Sequence, residues 1–138
     1  MIPSGPQYWH KQIVTTSKDR FAYCSTLSIY ICNVRTHEVE KIITGHEGVI
    51  TCIEWNLLDS NLLASATNER QLYIWKLSEE IAILHMTLES YALMLQWSKI
   101  SADMILILDS SGKSNNNFRG DIITKCNYEN HKVYCQIL

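Results

Sequence analysis

Residues 21–25, Phe-Ala-Tyr-Cys-Ser, are answered 42 positions later by 63–67, Leu-Ala-Ser-Ala-Thr. Residues 29–32, Ile-Tyr-Ile-Cys, are answered 43 positions later by 72–75, Leu-Tyr-Ile-Trp, so one turn residue separates the two copies. A third copy starts at Tyr91, where 91–97 (YALMLQW) lies over 49–55 (VITCIEW), again 42 positions on. A fixed period of about 20–50 residues constrains a fold more than composition does. Each unit leaves an apolar face that only its neighbour covers.

The units consist of short β-rich runs separated by polar turns. The first has runs at 12–16, 20–25, 27–34 and 39–44, and the second at 49–55, 62–66, 71–77 and 81–88. Glu79 and Glu80 would also suit the start of a helix over 78–88, but the repeat requires a strand there. The third unit has runs at 91–97 and 104–108, and then the pattern stops. Residues 113–138 fit the repeat poorly, although 121–125 and 132–138 have strand composition. Pro3, Gly5 and Pro6 make 1–10 irregular.

The second unit is the clearest. It opens on Gly45-His46 and closes on Trp75, 29 residues after the histidine, with three strands between. The segment resembles a WD repeat, and the resemblance implies an all-β fold: a partial β-propeller of about two blades (11–44 and 45–88) and part of a third (89–112), ring not closed, with a divergent tail at 113–138. It also implies a buried hydrogen-bonded set of His46, Ser65, a turn carboxylate at Glu69, and Trp75. The physical reading agrees: a buried indole N–H needs an acceptor. Ser65 can supply one, His46 can donate onward, and a carboxylate would fix the imidazole tautomer. Glu69 is one methylene longer than the family's Asp, and Lys76 replaces the Asp of the Trp-Asp pair. In the first unit Cys32 stands in place of the tryptophan and no Gly-His precedes it. The wording of 19–31, DRFAYCSTLSIYI, resembles the first blade of long animal members of this family.

The totals exclude several classes. At 138 residues, 46% hydrophobic and 19% charged, the chain has a globular composition. A net charge of −2 without a basic run argues against nucleic acid and acidic membrane as partners. The first residues lack a secretory signal and no apolar run is long enough to span a bilayer. Five cysteines without a tight framework read as reduced thiols of a cytoplasmic or nuclear protein.

Three chemical readings compete with a structural one. Gly112-Lys113-Ser114 suggests a phosphate loop, but that motif needs a glycine where Ile107 stands, and Ser-Asn-Asn-Asn is a poor helix opening. Cys126, His131 and Cys135 have zinc-ligand types but lack a good fourth ligand, with only Glu129 and Asp121 near. His46 beside Cys52 or Ser65 suggests nucleophilic catalysis, whereas a thiol in an apolar strand is inert.

The reading that follows is a non-catalytic WD-repeat scaffold piece, with no cofactor and no metal, that binds other proteins. Contacts are expected on the loops bearing Lys18, Asp19, Glu47, Asn68 and Arg70. The acidic pairs Glu38/Glu40 and Glu79/Glu80 read either as contact points or as a solvated edge. Alternatives are a truncated or splice product without independent activity, and a nucleotide hydrolase using 112–114. A propeller closes with about 4–8 blades, so further blades are needed, and the chain alone is expected to be marginal or aggregation-prone.

Overall fold

The computed structural model describes residues 12–88, 90–109, 123–127 and 132–136. Among them are twelve strands and no helix. Strands β1 (Val14–Thr16), β2 (Arg20–Ser25), β3 (Ser28–Asn33) and β4 (Val39–Ile43) form one antiparallel sheet in chain order. The second sheet is β5 (Ile50–Trp55), β6 (Leu62–Thr67), β7 (Gln71–Lys76) and β8 (Ile81–Thr87). The third is β9 (Ala92–Trp97), β10 (Met104–Asp109), β11 (Ile123–Asn127) and β12 (Lys132–Gln136).

Turn chemistry accounts for the uneven repeat. The β2–β3 hairpin closes on two residues, Thr26 and Leu27, with Thr26 at φ 52°. The β6–β7 connection has three residues, 68–70, and places Arg70 at φ 63°, the usual geometry of a three-residue hairpin loop. That extra residue changes the offset from 42 to 43. Glu80 also adopts a positive φ of 57°. A left-handed residue there turns the chain into β8 and removes the rival helix.

Strand alternation gives the middle sheet two buried faces. Ile53, Trp55, Leu63, Tyr73, Trp75 and Leu77 pack with Ala22, Cys24, Ile29, Ile31 and Ile43 of the first sheet. Cys52, Leu62, Ala64, Ala66, Leu72, Ile74 and Leu84 pack with Ala92, Leu95, Trp97, Ile105 and Ile107 of the third. Odd positions face one neighbour and even positions the other. Ile50 breaks the parity because the β5–β6 register shifts between Ile50 and Cys52, as a bulge does. Each fully buried Ile, Leu or Phe-sized side chain is worth about 1.5–3 kcal/mol, so these two interfaces dominate stability.

Polar ties lock the stack. Ile50 N–H donates to Thr26 O at 2.8 Å, Ile53 N–H to Gln12 O at 2.9 Å and Trp55 N–H to Thr15 Oγ1 at 3.0 Å. Between the second and third sheets, Trp97 Nε1–H reaches Glu54 O at 3.0 Å and Asn56 Nδ2–H reaches Ala102 O at 2.7 Å. At the outer edge Lys41 Nζ donates to Leu77 O at 2.7 Å and pairs with Glu80 at 3.2 Å.

The sequence repeat gives out at 112, yet the third sheet continues. Ile123–Asn127 pairs with Met104 and Ile105 of β10, and Lys132–Gln136 pairs with Ile123–Asn127. These strands lie within the tail expected to fit no blade, close to its two strand-like stretches. Their strand composition is legible in the sequence, but their place in the repeat is not, because neither ends in the tryptophan that marks a third strand.

Candidate functional site

Three of the four residues expected to form a buried set come together between the first and second sheets. Ser65 is on β6, Trp75 is on β7 two positions beyond Tyr73, the cross-strand partner of Ser65, and His46 lies in the chain entering β5. Trp75 Nε1–H donates to Ser65 Oγ at 2.9 Å, and Ser65 Oγ lies 2.8 Å from His46 Nε2. His46 Nδ1 is 3.1 Å from the Leu27 carbonyl. A carbonyl only accepts, so the proton is on Nδ1, and Nε2 accepts from the serine hydroxyl. The hydroxyl thus accepts from the indole and donates to the imidazole. Burial lowers the His46 pKa to about 4, against a smaller opposing effect of the Leu27 bond. The ring is neutral at neutral pH. It also meets Tyr73 edge-on at 5.0 Å and Trp75 at 5.0 Å.

Glu69 is not a partner of this imidazole. Both ring nitrogens are taken, and the role expected of a carboxylate falls to Leu27 O of the neighbouring sheet. Glu69 is exposed in the 68–70 turn. Its side chain instead lies against Gly48, whose φ of 87° turns the chain into β5. A Cβ added at Gly48 would stand 2.5 Å from Glu69 Cγ and 2.7 Å from Asn68 Oδ1.

The set holds two sheets together. Ser65 is fully buried. Cys52 belongs to the opposite face of the same sheet, away from His46. Burial pushes the Cys52 and Cys24 thiols up to about 12, far from the thiolate that nucleophilic chemistry needs. Gly112, Lys113, Ser114 and His131 lie outside the described residues, as do the side chains of Cys126 and Cys135. Among the described residues no cluster of His, Cys, Asp or Glu is arranged to hold a metal ion.

The residues expected to meet a partner divide between the two ends of the blades. Lys18 and Asp19 are exposed in the β1–β2 loop. Arg20 Nη2–H donates at 3.2 Å to Ser60 O of the β5–β6 loop, which puts both loops at one end. Glu47, Asn68 and Arg70 are exposed at the other end, where Val49 N–H donates to Asn68 Oδ1 at 2.8 Å. The first end also carries Leu57, Leu58 and Ile100, all exposed and unforeseen. Of the acidic pairs, Glu79 pairs with Lys76 and Glu80 with Lys41, while Glu40 accepts from Asn33 at 2.9 Å.

Sequence reasoning missed Gln12. Its Nε2–H bonds Leu95 O at 2.6 Å and Glu54 Oε2 at 2.8 Å, and its Oε1 accepts from Leu95 N at 3.0 Å. One side chain at the entry to β1 therefore ties the second and third sheets. Burial raises the Glu54 pKa, and the Gln12 amide partly opposes that.

No family model matches the chain. It is 29% identical over 77 residues to "Protein transport protein sec13" of Aspergillus oryzae, covering 55% of this chain and 24% of that protein. It is 37% identical over 60 residues to "WD40 repeat-containing protein HOS15" of Arabidopsis thaliana, covering 43% of this chain and 10% of that one. Among solved structures, the Myceliophteria thermophila Cps50 (Swd1) β-propeller domain superposes with a TM-score of 0.66 at 18% identity, covering 78% of this chain and 32% of that chain. A chain of the mitotic checkpoint complex gives 0.64 at 17% identity, covering 71% and 32%. The chain thus spans about a quarter or less of these curated relatives. The fold is an all-β, partial WD-repeat β-propeller with several antiparallel sheets. The sequence matches support the WD-repeat family.

Proposed function

We propose that this chain is a non-catalytic WD-repeat scaffold piece that holds loop side chains in fixed positions for a protein partner inside the cell, in cytoplasm or nucleus. One observation carries this reading: the polar groups of the His46 set and of Gln12 are spent on joining blades, while the charged and polar loop residues Lys18, Asp19, Glu47, Asn68 and Arg70 are exposed at the two ends. Rigid frames with variable loops are the common form of recognition surfaces. The relatives support it, since the mitotic checkpoint complex is by its name a protein assembly and Sec13 is named for protein transport. The wording of 19–31 supports a finer reading, in which these blades resemble the opening blades of WD repeat-containing protein seventeen.

Affinity capture from cells with the wild-type chain, with Lys18→Glu/Asp19→Lys, and with Glu47→Lys/Arg70→Glu tests it. Loss of a captured protein with one pair and retention with the other identifies the working end. Equal capture by all three overturns the loop assignment. A chain that captures nothing fits the truncated-product reading instead. Labelled nucleotide retained by wild type and lost by Lys113→Ala would replace the scaffold with a nucleotide-binding function.

A further inference from the structure

Two neighbouring blades present an apolar side chain from the same turn. In the β5–β6 loop, Asn56 Oδ1 accepts from Leu58 N–H at 2.9 Å and from Asp59 N–H at 3.0 Å. In the β9–β10 loop, 42 positions on, Ser98 Oγ accepts from Ile100 N–H and Ser101 N–H, both at 3.2 Å. The residue two places after each capping side chain is turned outward: Leu58 is 53% exposed and Ile100 92%, and Leu57 is 59%. Asn56 Nδ2–H bonds Ala102 O at 2.7 Å, so the two loops form one unit. Ser60 O anchors the first of them further, accepting from Trp55 Nε1–H at 2.8 Å and Arg20 Nη2–H at 3.2 Å. Leu57 and Leu58 belong to the middle blade, which packs on a neighbour at each face, so their exposure does not depend on where the sequence starts or stops. Single apolar side chains on a surface need no explanation, but three grouped on loops this fixed mark a contact surface.

We propose that these loops receive an amphipathic helix of another protein, laid over the seam between the second and third blades with its apolar stripe on Leu57, Leu58 and Ile100 and an acidic flank toward Lys99. Two features of the loops select this occupant. Their backbone donors are spent: Leu58, Asp59, Ile100 and Ser101 N–H on the capping side chains, and Asn61 N–H on Asp59 Oδ1. An added strand would need such groups free, whereas a helix arrives with its own backbone bonds made and binds through side chains. The charge beside the patch is positive. Lys99 is exposed and has no ion pair among the described residues, while the carboxylates of Asp59 and Asp103 turn into their own loops, toward Asn61 N–H and Ser101 Oγ. Lys18 and Asp19 on the adjoining β1–β2 loop offset each other. Asp19, Asp59 and Asp103 at this end disfavour an anionic membrane as the occupant. Because the loops are already fixed, little ordering entropy is lost on binding. The inference rests on the scaffold reading above and names its working end and class of partner.

Fluorescence anisotropy of a labelled synthetic helix titrated with the full chain tests it. The probe has about 18 residues, enough to form alone in water, with Leu at i, i+3, i+4 and i+7 and Glu on both flanks of that stripe. Saturable binding is expected. A probe with Lys flanks is expected to bind about two- to fivefold more weakly, and one with the same residues scrambled not to saturate. Leu58→Asp/Ile100→Asp is expected to keep the wild-type far-UV circular dichroism and to bind at least about tenfold more weakly. Ile100→Asp alone, at the most exposed of the three positions, is expected to shift binding in the same direction, and Leu27→Asp at the opposite end is expected to bind as wild type. No saturation, equal binding of the scrambled or Lys-flanked probe, or undiminished binding by the folded Leu58→Asp/Ile100→Asp or Ile100→Asp chain overturns the proposal. Sedimentation with phosphatidylserine vesicles by wild type and not by Ile100→Asp assigns the patch to a membrane and also overturns it. Cellular capture lost in Glu47→Lys/Arg70→Glu and kept in Leu58→Asp/Ile100→Asp removes this inference while leaving the scaffold reading standing.

Discussion

Gln12 and Leu95, 83 residues apart, share two hydrogen bonds: the glutamine amide gives one to the leucine carbonyl and accepts one from the leucine N–H. The carboxamide thus occupies the place of a peptide unit at the open edge of β9. The backbone carbonyl of Gln12 meanwhile accepts from Ile53 N–H.

Gln12→Ala removes a partner from Leu95 N–H, Leu95 O and Glu54 together. An unmet buried polar group costs about 1–3 kcal/mol, and Leu95 is buried, so urea denaturation is expected to show a loss of at least that size. Gln12→Glu brings a second carboxylate toward Glu54 and the Leu95 carbonyl, and is expected to lose more at neutral pH than at pH 4. Equal midpoints for all three chains would show that the bridge contributes nothing.

Ser65→Ala leaves the Trp75 N–H and His46 Nε2 buried without a common partner. The expected loss is about 1–3 kcal/mol. Near-ultraviolet circular dichroism of the tryptophan band should change with it, while the β signal in the far ultraviolet persists.

His46 makes stability depend on pH. Its ordinary value is 6.5 and burial takes it to about 4, so the unfolded chain binds more protons between those values. This contribution is complete above pH 6.5 and is lost as pH falls toward 4. It amounts to about 3 kcal/mol. Denaturation midpoints measured across that range should fall for wild type and stay flatter for His46→Gln. Glu54 acts in the opposite sense. Its raised pKa penalises the charged form, so Glu54→Gln is expected to stabilise the chain at neutral pH and to lose that advantage in acid.

Gly48→Ala is expected to destabilise by about 1–3 kcal/mol. Its φ of 87° strains any L side chain, and the new methyl meets Glu69 and Asn68. A double variant with Glu69→Ala should recover the part due to the clash and keep the part due to the backbone. Full recovery would show that the backbone geometry carries no strain.

Much of this architecture is written locally. Apolar alternation marks β2, β3, β5, β6 and β7, and the 42-residue beat orders them into blades. Ser65, Trp75 and His46 were legible too, because Gly-His and Trp sit at the ends of a unit whose strands bring them together.

What tertiary packing alone decided is which groups meet between blades. Leu27, and not Glu69, fixes the His46 proton because the β2–β3 turn of one blade abuts the entry of the next. Gln12 carries no local signal, since its partners lie 42 and 83 residues away and belong to two other sheets. β11 and β12 complete a sheet without the repeat's marker residues because open strand edges of β10 accept backbone hydrogen bonds from a segment whatever its side chains. Periodicity is a property of one strand and its neighbours in sequence, so it specifies blades. Contacts between blades depend on how rigid sheets approach one another, and that approach exists only once the sheets have stacked.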